Sequence, residues 1–554
     1  MKLHNHYGYG QLFCFSGLDG ETSRQDDFVA MMLDEPITLR FHFTDTVTLK
    51  LPLEENTRFN LVTSDLLDGD NFTVAFLNRT TIVGKSPVKP IVLTEGDGRV
   101  KKQGNTEKIV TNFAPFYLTT ELRDGAYYFT FSYRTPTANV LSQAELNELK
   151  AQRLSYFESL PKFANEKYEQ LYYKCLSINK LNVYSPEGEI PCLWTTPDRV
   201  PHRFMWIWDS AFHAMSFAQY NVEMAKNCIR SVLAMQEEDG FISHMMGVDG
   251  GFSSITQPQV LAWATWMVYQ KDKDKEFLRE CVPGLHKFLV WTMKNRDKNG
   301  NGLLEWLTEP DYTECKCGES GLDNSPRFDF DIEMDAIDFT TYLCHDAEYL
   351  ARIYEELGDA ENATYFRSVY ENVKEKINTL LWSEEDGLYY DRLFDGNLTG
   401  VASPTSFLPM FAGICSQEQS EKMVAALLDE KRFWTKLPVP TMTKDSPYYE
   451  KDMWRGCSWL NLNYFILRGL YRYGHTEVAD ELLKRTMDCV YKWYQETGNI
   501  FEFYDADDEV CPFYLNRKGP QPEKLDYRVH VHAITDYNWS ACFTLLMLQK
   551  NWNL

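Results

Sequence analysis

The run Leu343-Cys344-His345-Asp346-Ala347-Glu348-Tyr349-Leu350-Ala351-Arg352-Ile353-Tyr354, then Gly358-Asp359, then Phe366-Arg367-Ser368-Val369-Tyr370-Glu371-Asn372-Val373-Lys374-Glu375-Lys376-Ile377, decides how most of this chain folds. Leu343, Ala347, Leu350 and Tyr354 share one face of a 3.6-residue period, and Phe366, Val369, Val373 and Ile377 share another. Glycine then aspartate between the two runs ends one helix and starts the next. A helical hairpin is predicted.

Outward from this hairpin, helices are predicted over 164–178, 209–219, 222–236, 258–270, 274–294, 334–357, 359–381, 403–413, 416–428, 458–473, 476–494 and 535–549. Twelve helices make six hairpins, the count of an (α/α)6 barrel, with an irregular helical solenoid as the alternative. Residues 7–140 follow a period of two instead. Ile37-Thr38-Leu39-Arg40-Phe41-His42-Phe43 and Val47-Thr48-Leu49-Lys50-Leu51 alternate, and Asp124-Gly125 marks a hairpin turn before Tyr127-Tyr128-Phe129-Thr130-Phe131. The expected chain is multidomain: an N-terminal β-sandwich over 1–145, a helical linker over 146–175, and a catalytic (α/α)6 barrel over 176–554.

A net charge of −24 argues against nucleic acid or an anionic membrane as partner, since both favour a basic face. No apolar run reaches the eighteen residues of a membrane-spanning helix. Thirteen cysteines without repeated spacing, after a start lacking an apolar leader, lead to an expectation of reduced thiols in the cytoplasm. Aromatics make up 14% of the chain, a share that suits stacking on sugar rings as well as a large core.

Two acidic stretches carry the chemistry. Glu319-Ser320-Gly321-Leu322-Asp323-Asn324-Ser325-Pro326-Arg327-Phe328-Asp329 is too broken by glycine and proline for a helix, and such loops commonly serve function. Arg327 is expected on the substrate side, pairing with Glu319 or Asp329 to hold the loop in shape. Asn499-Ile500-Phe501-Glu502-Phe503-Tyr504 sets a carboxylate among aromatics, a dry setting of the kind that shifts an acid's pKa. Paired carboxylates from separate loops, here Asp323 and Glu502, are what glycoside hydrolysis needs.

Four helix mouths supply polar and aromatic groups suited to a sugar. Arg203, Trp206, Trp208 and Asp209 crowd the first, although Asp209 taken alone is expected as a helix cap. Gln257 stands at the second, Trp454-Arg455 at the third and Trp539 at the fourth. The spacing of Asp297, Asn299, Asn301 and Glu305 is similar to the first half of a calcium loop, but Thr308 occupies the place of the bidentate glutamate. A metal-free turn is the competing reading.

Taken together, Glu-Ser-Gly-x-Asp at 319–323, Trp-Asp at 208–209, Trp-Arg-Gly at 454–456, Glu-x-Tyr at 502–504 and Trp-Ser at 539–540 resemble glycoside hydrolase family 63, in the clan that also holds the trehalases. The resemblance covers about residues 190–550 and extends to bacterial α-glucosidases and glycosylglycerate hydrolases. It implies an inverting, exo-acting α-glycosidase, with Asp323 as general acid and Glu502 as general base, releasing a terminal α-linked sugar, glucose first among the candidates. It also implies that Arg203, Trp208, Asp209, Gln257, Trp454 and Arg455 line the sugar subsite. No cofactor is implied for catalysis, and any calcium at 297–305 would be structural.

On this reading apolar neighbours keep Asp323 protonated while ionised Glu502 activates water across the ring. The rivals are a glycoside phosphorylase, which would want a cationic phosphate pocket, and a non-catalytic carbohydrate-binding protein on the same barrel. The expected partner is a small carbohydrate.

Overall fold

The structure is a computed structural model and describes residues 1–24, 31–34, 38–41, 47–54, 56–94, 99–111, 114–308, 315–329, 333–519 and 532–550. Of the alternating run at 37–43, Ile37, His42 and Phe43 lie outside the described residues.

The N-terminal region forms two antiparallel sheets. One orders Leu12–Phe13, Met31–Asp34, Thr38–Phe41, Val47–Lys50 and Ile91–Thr94. The other orders Arg99–Gln103, Thr106–Val110, Pro115–Arg123, Ala126–Tyr133, Thr81–Ser86, Thr73–Asn78, Leu66–Gly69 and Phe59–Val62. Inward positions from both sheets, including Val47 and Leu49 from one and Phe76, Ile82, Phe116 and Phe131 from the other, share a single core, as a β-sandwich requires. Asp124 and Gly125 connect Arg123 to its partner Ala126, both at positive φ (50° and 79°), the backbone that a two-residue hairpin turn demands.

Thirteen α-helices follow among the described residues. α1 (Gln143–Ser159) opens with a Ser142–Glu145 capping box. The remaining twelve are α2 (Glu169–Leu181), α3 (Ile207–Phe217), α4 (Val222–Ala234), α5 (Leu261–Asp272), α6 (Lys275–Asn295), α7 (Ile337–Leu357), α8 (Ala360–Leu380), α9 (Leu408–Phe411), α10 (Gln417–Leu427), α11 (Leu460–Arg472), α12 (Thr476–Thr497) and α13 (Asn538–Leu548). The hairpin predicted from Leu343 to Ile377 is α7 and α8, which pack together; Gly358 ends α7 at φ 81° and Asp359 caps α8 by accepting from the Asn362 N–H.

Helices α3, α5, α7, α9, α11 and α13 each pack against the next, and α13 returns to α3. The ring is largely buried: α3 is buried along its whole length and α13 at every residue but Leu548. α2 packs against α13, so residues 169–175, expected in a linker, belong to the helical assembly. The predicted helix at 403–413 shortens to a 3₁₀ turn (Pro404–Phe407) and four α-helical residues, because Pro409 in mid-span has no N–H to donate to the Thr405 carbonyl.

The two halves are tied by their ends. The Leu12 N–H donates to Asp536, the Asn499 side chain donates to the Tyr9 carbonyl, and Lys180 on α2 pairs with Asp19 and Asp65.

Candidate active site

A cavity of about 220 Å³ opens at the N-terminal ends of the ring helices. Its lining draws on every predicted mouth: Trp206, Trp208 and Asp209 at the start of α3, Gln257 before α5, Asp323 from the loop before α7, Trp454 and Trp459 before α11, Glu502 after α12, and Tyr537 and Trp539 at α13.

The acid loop is fixed from below. Glu319, fully buried, takes three hydrogen bonds from the Arg296 guanidinium and accepts the N–H groups of Thr256 and Leu307. Ser320 Oγ accepts from the Leu322 N–H. Asn324, beside Asp323, accepts from the Trp454 N–H and donates to Asp452, so the loop is joined to the segment before α11.

Glu502 is buried and held at both levels. Its N–H donates to the Ile534 carbonyl, while its carboxylate receives Arg517 Nε at 2.9 Å and Nη2 at 3.3 Å. Burial disfavours the Arg517 charge, but the Glu502 carboxylate outweighs this and raises its pKa. His202, hydrogen-bonded to Asp198 at 2.7 Å, reaches Arg517 from the other side.

Asp323 does not have the apolar neighbours expected of it. Lys518 Nζ stands 2.6 Å from its Oδ2. His244 also lines the cavity, and burial lowers its pKa to about 4 despite the Asp323 charge.

Asp209 is not a cap, contrary to the competing expectation: α3 starts at Ile207, and Asp209 Oδ1 is buried without a hydrogen-bond partner. Burial first, then the charges of Asp198 and Glu502, push its pKa well above the usual carboxylate range. Three further polar atoms in the lining are equally orphaned: the indole N–H groups of Trp206, Trp454 and Trp539. Gln257 has an internal role as well, accepting from the Trp208 N–H at 3.1 Å. The aromatic wall is continuous, with Trp454 stacked on Trp459 at 3.5 Å and Trp539 edge-on to both Trp208 and Trp459.

Three predicted subsite residues stand outside the lining. Arg327 is fully buried between Asp338 and Asp391, bonding both with two nitrogens, and pairs with neither Glu319 nor Asp329. Arg455 binds Asp329, Glu450 and the Asn324 carbonyl, bracing the acid loop from outside the cavity. Arg203, also absent from the lining, donates to the Arg24 carbonyl. An arginine in a motif satisfies the nearest carboxylates, and for Arg327 and Arg455 these belong to residues outside the lining.

The residues missed by the sequence reading are Arg517, Lys518, His244 and Asp452. Asp452 accepts the N–H groups of Lys518 and Gly519 at 2.8 Å each, setting both cations beside the two acids. Asn516-Arg517-Lys518-Gly519 has no periodicity, and neither cation has a sequence neighbour that announces its carboxylate.

In the calcium-like loop, Asn299 and Asn301 donate their amides to Asp335, and Asp297 and Glu305 each accept one backbone N–H. Asp297 Oδ1 and Glu305 Oε1 are buried without hydrogen bonds. Burial, with Asp335 and Asp297 close by, raises the Glu305 pKa to about 7. The oxygen chemistry suits a hard cation, but among the described residues no three acidic, histidine or cysteine side chains already form a ligand set.

A model of the mannosylglycerate hydrolase MGH1-like glycoside hydrolase domain matches residues 201–540, the span that builds this cavity. The chain belongs to that family. It is a glycoside hydrolase of the family 63 kind. Mannosylglycerate hydrolase MGH2 of Selaginella moellendorffii is 24% identical over 432 residues, covering 63% of this chain and 83% of its own. Mannosylglycerate hydrolase of Thermus thermophilus is 24% identical, covering 56% and 91%. In structure, a family 63 mannosylglycerate hydrolase of Thermus thermophilus in complex with glucose superposes with a TM-score of 0.55 at 22% identity, over 69% of this chain and 100% of that one. A bacterial glucoamylase complexed with acarbose matches 99% of this chain and 96% of its own, with a TM-score of 0.57 at 12% identity, a likeness of fold that includes the sheet-rich half.

Proposed function

We propose that this glycoside hydrolase removes a terminal α-linked sugar from a small glycoside with inversion, on an (α/α)6 barrel formed by the closed ring of helices and their outer partners. Asp323 protonates the glycosidic oxygen as the bond to the anomeric carbon breaks; Glu502 takes a proton from the water that attacks the opposite face. Inversion needs the two carboxyls roughly 6.5–9.5 Å apart, with room for that water.

The observation that carries the reading is the convergence of four orphaned polar atoms, on Trp206, Asp209, Trp454 and Trp539, around one cavity that also holds two acids from separate loops. Buried polar atoms without partners are costly, and a ring of hydroxyls would satisfy them. Arg517 and Lys518 do not make the free cationic pocket of a phosphorylase, because each is engaged by a carboxylate.

Mannose, glucose and galactose differ in hydroxyl orientation, and the relatives' names favour a mannosyl glycoside of glycerate. The test is release of free sugar from a panel of mannosylglycerate, glucosylglycerate and α-linked glucosyl, galactosyl and mannosyl disaccharides, by wild type, D323N and E502Q. Turnover of one member by wild type, lost in both variants, supports the reading; unaltered turnover in either variant overturns it.

A further inference from the structure

The ion pair between Asp323 and Lys518 conflicts with what the reaction needs. At the moment of bond cleavage Asp323 must hold a proton, yet the Lys518 ammonium stands 2.6 Å from its Oδ2, in the place that proton would take. The pair is not a chance surface contact. Asp452 anchors both sides of it: one oxygen accepts from the Asn324 side chain, next in sequence to Asp323, and from the Lys518 N–H, and the other accepts from the Gly519 N–H.

Those bonds hold Lys518 at φ 61°, a left-handed backbone that a lysine adopts only when its surroundings impose it. The backbones are thus fixed relative to each other, and what can move is the four-carbon stem and its ammonium. The Lys518 side chain is 22% exposed and lines the same cavity as Asp323, so its swing leads into the pocket.

Among the described residues, the groups facing Asp323 from the surrounding elements are Lys518 and Arg517 on one segment and His244 on another. Arg517 is committed to Glu502, and His244, with its lowered pKa, is neutral above about pH 4. Among the described residues Lys518 is therefore the cation whose salt bridge is to Asp323 alone. Besides Asp323, Arg517 and Cys315 are ionisable neighbours of Lys518.

We propose that Lys518 is a displaceable guard on Asp323: it pairs with the carboxylate in the empty pocket and turns to the oxygens of the leaving group when substrate enters. Asp323, released, takes a proton from water and passes it to the glycosidic oxygen as the C–O bond breaks. A leaving group that offers no oxygen to the ammonium leaves the guard in place, so Lys518 sets leaving-group specificity. This inference rests on the reading of Asp323 as general acid.

The experiment compares pH profiles for mannosylglycerate, or whichever panel α-glycoside turns over, in wild type, K518M, K518R and D323N. The profile of kcat/KM reports the free enzyme and that of kcat the loaded one. In wild type, the alkaline limb of kcat should lie about one pH unit above that of kcat/KM, the shift an adjacent cation produces. In K518M the kcat/KM limb should rise to meet the kcat limb, with a higher KM; K518R should restore the separation. Limbs that move together in K518M, or do not move, overturn the guard. If D323N has lost turnover in that case, the acid assignment stands and only the role of Lys518 falls. Near-full activity in D323N overturns both.

Discussion

Gly321 lies against the indole of Trp208: a Cβ on Gly321 would sit 2.4 Å from Trp208 Cζ2, and the residue has φ 73°. The glycine of the Glu-Ser-Gly-x-Asp motif thus seats the acid loop on the wall of the pocket, two residues before Asp323. G321A adds a clash to a left-handed backbone that costs an alanine about 1 kcal/mol. We expect Tm to fall and kcat/KM to drop about a hundredfold, the effect of displacing a catalytic group by about 1 Å; urea unfolding and steady-state kinetics read the two separately.

Asp209 should show opposite effects on stability and activity. Its native pKa lies well above its unfolded value of about 3.9, so the native state holds the extra proton and stability is lost as pH rises from about 4 toward the native pKa. D209N removes that loss. Tm should rise relative to wild type by an amount that grows from pH 4 to pH 7, while kcat/KM falls roughly tenfold to a hundredfold because an amide cannot reproduce the carboxyl's hydrogen bonding to substrate. Equal Tm at both pH values would contradict this.

The two carboxylates should differ in what their removal does to the fold. Glu502 and Arg517 are both buried, and E502Q leaves a buried guanidinium without its counter-charge, costing about 3 kcal/mol. The Asp323–Lys518 pair is one-fifth exposed on each side, so D323N should cost under about 1 kcal/mol. Each should lower kcat by about 10²–10⁴. Chemical denaturation beside kinetics distinguishes the pairs.

For the loop at 297–305, the Glu305 carboxyl at about 7 means that native stability is lost between about pH 4.5 and 7 as the proton leaves. E305Q should therefore raise Tm at pH 8 in chelator. Calcium should raise the wild-type Tm at pH 8, less so at pH 6, and should not affect E305Q. An unchanged wild-type Tm with calcium leaves the loop as a metal-free turn.

Much of the fold was legible in the sequence where periodicity is strong. Leu343 to Ile377 declared a hairpin because an amphipathic face and a Gly-Asp turn are local signals. The helix mouths were legible because Trp206, Trp208, Trp454 and Trp539 are too polar-edged and too clustered for core alone. The starts of α5 and α7 were read too early, since Pro258 and the Met334–Asp335 strand pairing delay them to Leu261 and Ile337. Arginine roles were misjudged for a physical reason: Arg327 finds Asp391, 64 positions away, and no local pattern names that partner. Lys518 was missed for the same reason, its partner lying far upstream and joined through Asp452.

Hydrolysis with inversion is tested most sharply by proton NMR of the wild-type enzyme with the panel α-glycoside it cleaves, following the anomeric signals before mutarotation. β-sugar appearing first is the predicted result and places water opposite the leaving group, as Asp323 and Glu502 require. α-sugar appearing first means retention, and would contradict the assignment of Glu502 as a base acting through water.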